Sequence, residues 1–194
     1  MYVKRKGKNN LLFFLGFLLC VLPILLNLVF QSRMENVISS FYLEEDTTQE
    51  KLVEDAYLNA ELYNQQLFLN QERENYDTVL NFTSTQIMAT IQIPVIDVDL
   101  AIYHGTSDEV LNRGIGHFEF SSLPVGGKNS HCILTGHRGL PSAKLFTDLD
   151  KMEVGDTFTI TILNREITYE VDDISIILPN ETDSLQIEDK KEYC

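Results

Sequence analysis

The sequence is poor in cysteine and in basic residues, and each scarcity excludes something. Its 194 residues hold three cysteines. Cys20 lies in an apolar run, Cys132 in a strand-like stretch, and Cys194 at the last position. No obvious pair emerges, so the pattern is not that of a disulfide scaffold. Unpaired thiols in such settings are packing residues or nucleophiles. Lys and Arg number 15 against 29 Asp and Glu, for a formal charge of −14. Four of those 15 precede residue 11 and no acid does, so the chain beyond carries −18. Such a surface repels nucleic acid and other acidic partners. Two signatures are missing as well. There is no Gly-x-Ser-x-Gly elbow, and Gly126-Gly127-Lys128 lacks the spacing and the Ser/Thr of a phosphate loop. No internal repeat or low-complexity segment is present.

What is there begins with the membrane. Lys4, Arg5, Lys6 and Lys8 precede Leu11 to Phe30, an uncharged run in which only Asn27 is strongly polar. Twenty helical residues rise about 30 Å, enough to cross a bilayer core. Pro23 kinks such a helix without excluding it. A cleaved signal peptide needs small residues before its cleavage site, and Leu28 to Arg33 offers mostly bulky ones. The run is therefore expected to be an uncleaved anchor in contact with lipid through residues 11–30. Basic residues on its N-terminal side place the rest of the chain outside the cytoplasm.

Beyond the anchor, residues 46–72 have helical periodicity. Thr47 and Glu50 are spaced as a capping box, and Val53, Ala56, Tyr57, Ala60, Tyr63 and Leu67 make one apolar stripe. Residues 70–85 are polar and irregular, as in a linker or surface loop. The period then changes. Ile87 to Ile93 is strand-like and stops at Pro94, and Val98, Leu100 and Ile102 alternate with Asp97, Asp99 and Ala101. Thr106 and Glu109 are spaced to cap a short helical turn. His131 to Thr135 predicts a strand, and Pro141 the first turn of a short helix carrying Ala143, Leu145 and Phe146. Phe158 to Val171 predicts a hairpin turning at Asn164-Arg165, and Ile174 to Leu178 a further strand ended by Pro179-Asn180. Short β-branched strands with few helices predict a small barrel or sandwich.

His137 is the residue best placed for chemistry. It follows the apolar run that ends at Gly136, where the chain must leave the sheet, and imidazole exchanges protons near neutrality. Four histidines and many carboxylates raise the question of a metal. His131 and His137 stand six extended steps apart, nearly 20 Å, and no cysteine pair accompanies them. A thiol enzyme needs a thiolate with a cationic or basic partner. Arg138 adjoins His137, but neighbours at a strand end point apart. Cys132 lies mid-strand on the face of Leu134, the position of a buried packing thiol. Spacing alone leaves His137 without a convincing nucleophile.

Several runs resemble class C sortases. They are Ile91-Gln92-Ile93-Pro94-Val95-Ile96-Asp97-Val98, Ile102-Tyr103-His104-Gly105-Thr106-Ser107, Gly114-Ile115-Gly116-His117 and Ser122-Leu123-Pro124-Val125-Gly126-Gly127. The likeness is strongest at Thr135-Gly136-His137-Arg138-Gly139-Leu140-Pro141 and at Leu145-Phe146-Thr147-Asp148-Leu149-Asp150. It implies a mostly β chain whose sortase-like closed β-barrel is incomplete at the C-terminus, with a transmembrane helix and an amphipathic helix before it. The expected organisation is residues 1–30 as basic tail and anchor, 31–86 as helical stalk and linker, and 87–194 as barrel.

The resemblance further implies a membrane-anchored cysteine transpeptidase that cleaves a Leu-Pro-x-Thr-Gly-like sorting signal between Thr and Gly. A pilin lysine then resolves the acyl-enzyme. The implied partners are sorting signals of pilins or other surface proteins. His137 falls on the family's catalytic histidine. Neither a cofactor nor a metal is called for. Two departures stand out. The family cysteine ends a strand of the form Thr-Leu-x-Thr-Cys, which Lys190-Lys191-Glu192-Tyr193-Cys194 does not match. That run resembles what precedes the motif, so the nucleophile and a later arginine are expected beyond Cys194. Residues 31–194 alone are then expected to be unstable and inactive. The family's Asp-Pro-aromatic lid is also missing, since residues 64–86 contain no proline, although Tyr76-Asp77-Thr78 occupies roughly its place. The other class of function that fits is a non-catalytic, membrane-anchored β-domain that binds a surface protein.

Overall fold

The computed structural model describes residues 7–47, 50–81, 83–178, 181, 185–189 and 191–194. The basic residues Lys4, Arg5 and Lys6 and the expected stop at Pro179-Asn180 lie outside these. Helix α1 spans Gly7–Thr47 with Pro23 inside it. Its apolar part is long enough to cross a membrane, and no part of its most apolar window is buried. The helix does not end with the apolar run at Phe30. It continues onto the β-domain and buries Met34, Ile38 and Phe41 in the core. Tyr42 bonds Thr90 (2.8 Å between hydroxyl oxygens), and Lys144 N donates to Asn27 Oδ1 (3.0 Å). The stretch before Asn27, residues 11–26, is ~24 Å of helix.

Helix α2, Glu50–Phe68, carries the stripe expected of it. Ala60 and Tyr63 are buried, while Val53, Ala56, Tyr57 and Leu67 are half-buried. Asn64 fixes the docking by pairing with the Leu123 backbone in both directions (3.0 and 2.7 Å), and the Tyr57 hydroxyl donates to Val125 O (2.9 Å).

The strands are β1 Ile87–Ile93, β2 Val98–His104, β3 Ile115–His117, β4 Ser130–His131, β5 Leu134–Thr135, β6 Thr157–Ile162, β7 Arg165–Glu170 and β8 Glu192–Tyr193. Six of them form a sheet in the order β5-β3-β2-β1-β6-β7, and β4 pairs with β8. The six-stranded sheet curls into a half-barrel. Strand β1 is its centre because it is buried at every position but Gln92. Asp97, in the left-handed region at φ 55°, turns β1 into β2. The β6–β7 turn falls one residue earlier than expected, on Leu163 and Asn164, both at positive φ (50° and 59°). Two such residues match the right-handed twist of a hairpin.

Four local expectations are corrected. The cap of helix α3 (Asp108–Arg113) is Ser107, whose Oγ accepts from Val110 N, rather than Thr106. The strand from His131 to Thr135 is broken at Cys132-Ile133, so β4 and β5 join different ladders. No helix follows Pro141, where a Leu140–Ala143 bridge and turns take its place. Residues 174–178 form no strand, and Ile176 and Leu178 are exposed because no neighbouring strand pairs with them.

Residues 70–81 and 83–86 are largely irregular, yet they are not loose. Tyr76, Val79 and Leu80 are buried. The Tyr76 ring lies against His104 and His117, and its hydroxyl accepts from Gly105 N (2.9 Å). The segment's bonds therefore go to β2, β3 and the turn after β2. The His117 ring is used at both nitrogens. Nε2–H donates to Ser122 O (2.7 Å), leaving Nδ1 to accept from the Tyr76 hydroxyl (2.9 Å).

Burial pushes the His117 pKa down to about 4 from 6.5. Above about pH 6.5 the ring is neutral whether the chain is folded or unfolded. Between 6.5 and 4 only the unfolded chain binds the extra proton, so stability falls as pH falls and levels off below 4. The expected loss is about 3 kcal/mol over that window. Urea midpoints measured from pH 7.5 to 4 test this, and His117→Gln should flatten the profile. Equal slopes in both proteins would remove His117 as the cause.

Candidate active site

His137 sits two residues past β5, half-exposed. Its loop is held by the 145–150 run, which explains why the two motifs accompany each other. Phe146 N donates to His137 O (3.2 Å), and Gly139 N donates to Thr147 Oγ1 (3.1 Å). The Phe146 ring fills the space beside Gly136, so close that a Cβ there would lie 2.8 Å from Cδ2 and 2.6 Å from Ile115 Cδ1. Glycine is required at 136 by this approach. Arg138 turns away to pair with Asp150 (2.7 Å), both largely exposed, and does not serve His137. Among the described residues the His137 imidazole has no hydrogen-bond partner, which leaves it available for a substrate.

Phe146 also lines a mostly apolar cavity of about 320 Å³, together with Ile93, Leu134, Leu149, Phe158 and Cys194. The other histidines are engaged in the framework. His104 Nε2 bonds Val79 O (2.7 Å), and His131 Nδ1 bonds Gln186 O (3.1 Å). Among the described residues no group of His, Cys, Asp or Glu is placed to hold a metal.

The two thiols of the β-domain lie elsewhere. Cys132 is 2% exposed, and burial together with the neighbouring Cys194 thiol pushes its pKa well above the ordinary value. It stays protonated at neutral pH. Cys194 is half-buried beside it. Residues 133–136 separate Cys132 from His137, and among the described residues no hydrogen bond links either thiol to the His137 ring. The structure thus joins His137 to Phe146, Thr147 and Gly136 rather than to a thiol. Phe146 and Thr147 were visible in the sequence only as members of a motif, with no chemistry of their own to mark them.

The sortase domain family model matches residues 91–193. Sortase D of Bacillus subtilis (strain 168) is 29% identical over 107 residues, 55% of this chain and 51% of the relative. The match thus spans about half the length of that curated relative. Among solved structures, sortase C1 of Streptococcus agalactiae is 38% identical with a TM-score of 0.77, covering 82% of this chain and 89% of the other. Sortase C of Clostridium perfringens, solved with the C-terminal cell wall sorting motif, is 38% identical with a TM-score of 0.74, over 81% and 85%. Sortase C-1 of Actinomyces oris is 36% identical with a TM-score of 0.67, over 72% and 85%. The chain belongs to the sortase family of cysteine transpeptidases, and its structural neighbours are class C sortases.

Proposed function

We propose that this is a membrane-anchored class C sortase that cleaves a Leu-Pro-x-Thr-Gly-like sorting signal and joins pilin subunits through a lysine isopeptide bond. The observation that carries this reading is the His137 loop, clamped by Phe146 and Thr147 beside an apolar cavity suited to leucine and proline side chains. A thiolate attacks the Thr carbonyl and the Thr–Gly bond breaks. His137 gives the leaving glycine amine its proton, then takes one from the incoming lysine amine.

Neither Cys132 nor Cys194 is that thiolate in our reading, because one is sealed in the core and neither bonds the His137 ring among the described residues. The β4–β8 register supports a different position. Ser130 pairs with Glu192 and His131 with Tyr193, in parallel. If β8 continues past Cys194 in this register, the fifth further position lies beside His137. A five-residue Thr-Leu-x-Thr-Cys segment placed there would deliver its cysteine to the histidine. Residues 1–194 alone are therefore expected to form no acyl-enzyme with a sorting peptide, with Cys194→Ala making no difference by mass spectrometry. The same chain extended by such a segment is expected to acylate on the new cysteine. A peptide adduct on Cys194 that is lost with His137→Ala would overturn this placement. An extended chain that binds sorting peptide but never cleaves it would favour the non-catalytic binding domain.

The anchor in this reading is the first part of α1, with the β-domain extracytoplasmic. Protease added to wall-stripped, sealed cells is expected to remove the β-domain and spare an epitope at the N-terminus. Full protection of the β-domain would reverse the topology.

A further inference from the structure

Cys132 and Cys194 are 62 positions apart in sequence and neighbours in space. The parallel β4–β8 ladder pairs Ser130 with Glu192 and His131 with Tyr193, and Cys132 N donates to Tyr193 O (2.9 Å). One position beyond the ladder the same register brings Cys132 beside Cys194. Adjacent strands lie about 4.7–4.9 Å apart, inside the 4.4–6.8 Å Cα range that a disulfide spans. In-register partners send their side chains to the same face. That face is the apolar interior, where Cys194 lines the cavity with Leu134 and Phe158, and the buried Tyr169 hydroxyl lies near both sulfurs. A disulfide suits such a setting, being uncharged and without hydrogen-bond donors. Although Cys194 lines the cavity beside the His137 loop, the pairing of the two thiols rests on the ladder register alone and does not depend on the catalytic reading.

We propose that Cys132 and Cys194 are a redox pair that closes into a disulfide clasp between β4 and β8, taking up a protein or small-molecule disulfide as oxidant. Cys194, the more accessible thiol, attacks one oxidant sulfur as thiolate and releases the first oxidant thiol. Cys132 then attacks the Cys194 sulfur of the mixed disulfide and releases the second. The pair loses two electrons and two protons, and the oxidant leaves as two thiols. Burial keeps Cys132 protonated, so closure is slow and waits on the opening of a ladder only two residue pairs long.

The test uses the full chain in detergent, equilibrated natively with oxidised or reduced glutathione, quenched in acid, then unfolded and alkylated for peptide mass spectrometry. The expected result is a Cys132–Cys194 cross-linked peptide in the oxidised sample, reversed by dithiothreitol, with Cys20 alkylated in both. Because the link closes a long loop, the oxidised chain should melt about 5–10 °C above the reduced chain. Cys194→Ala should lose both the link and the shift, and the oxidised-against-reduced comparison of the unsubstituted chain needs no variant to fold. Full alkylation of both thiols after oxidation would overturn the proposal. So would a persistent glutathione adduct on Cys194 with Cys132 still free, or a link through Cys20.

Discussion

Replacing His137 with alanine, in a chain that also carries its nucleophilic cysteine, is expected to lower kcat/KM for a sorting peptide by about 10²- to 10⁴-fold. In the proposed reaction the imidazole would serve two proton transfers, so both acylation and resolution should suffer. Its loss should leave the fold untouched. The side chain is half-exposed and makes no hydrogen bond among the described residues. A substitution of that kind costs about 0.5 kcal/mol at most. The loop is held by the backbone of His137 through Phe146 N, and alanine keeps that bond. Peptide turnover and a thermal midpoint measured on the same preparation check both halves. Activity within threefold of the unsubstituted enzyme would remove His137 from the chemistry. An equal collapse of stability would make it a framework residue instead.

The second large effect is expected at the neighbouring glycine. In Gly136→Ala, the new Cβ would lie 2.6 Å from Ile115 Cδ1 and 2.8 Å from Phe146 Cδ2. Isoleucine can rotate its terminal methyl, but the phenylalanine ring is packed in the core and bonded through its amide to His137. The displacement is therefore passed to the histidine. A misplacement near 1 Å costs about 10²-fold in rate, so kcat should fall by about 10- to 100-fold while KM changes little. Overpacking costs about 1–3 kcal/mol in addition. Gly116→Ala is the useful contrast. There the Cβ would lie 2.5 Å from the Gly105 carbonyl oxygen, a backbone atom that cannot step aside. Its effect should fall on stability first. If Gly136→Ala loses stability but keeps kcat, the Phe146 contact does not position His137.

These outcomes depend on contacts between segments far apart in sequence, and the two kinds of information divide along that line. Features that repeat along the chain could be read from its residues without the fold. The apolar run from Ile87 to Ile93 with its stop at Pro94, and the alternation from Val98 onward, placed β1 and β2 close to their observed positions, because strand character and a proline stop are local properties. The stripe on α2 followed from helical spacing, and the uncharged run before Phe30 from composition. His137 stood out as a candidate because a proton-exchanging side chain at the end of an apolar run is unusual in itself, and the surrounding motifs pointed to the family.

Long-range contacts set the outcome where local propensity was silent or misleading. Residues 174–178 have strong β character yet form no strand, because a strand exists only with a partner to receive its hydrogen bonds. The polar stretch before β1 hid Tyr76, whose role depends on two histidines, on β2 and β3, that only the fold brings together. Helix α1 outlasts its apolar run because Met34, Ile38 and Phe41 find a core to enter. The three cysteines offered no pair on paper. Cys132 and Cys194 became neighbours through the register of a parallel ladder, which pairs residues 62 positions apart and leaves no periodic trace in the sequence.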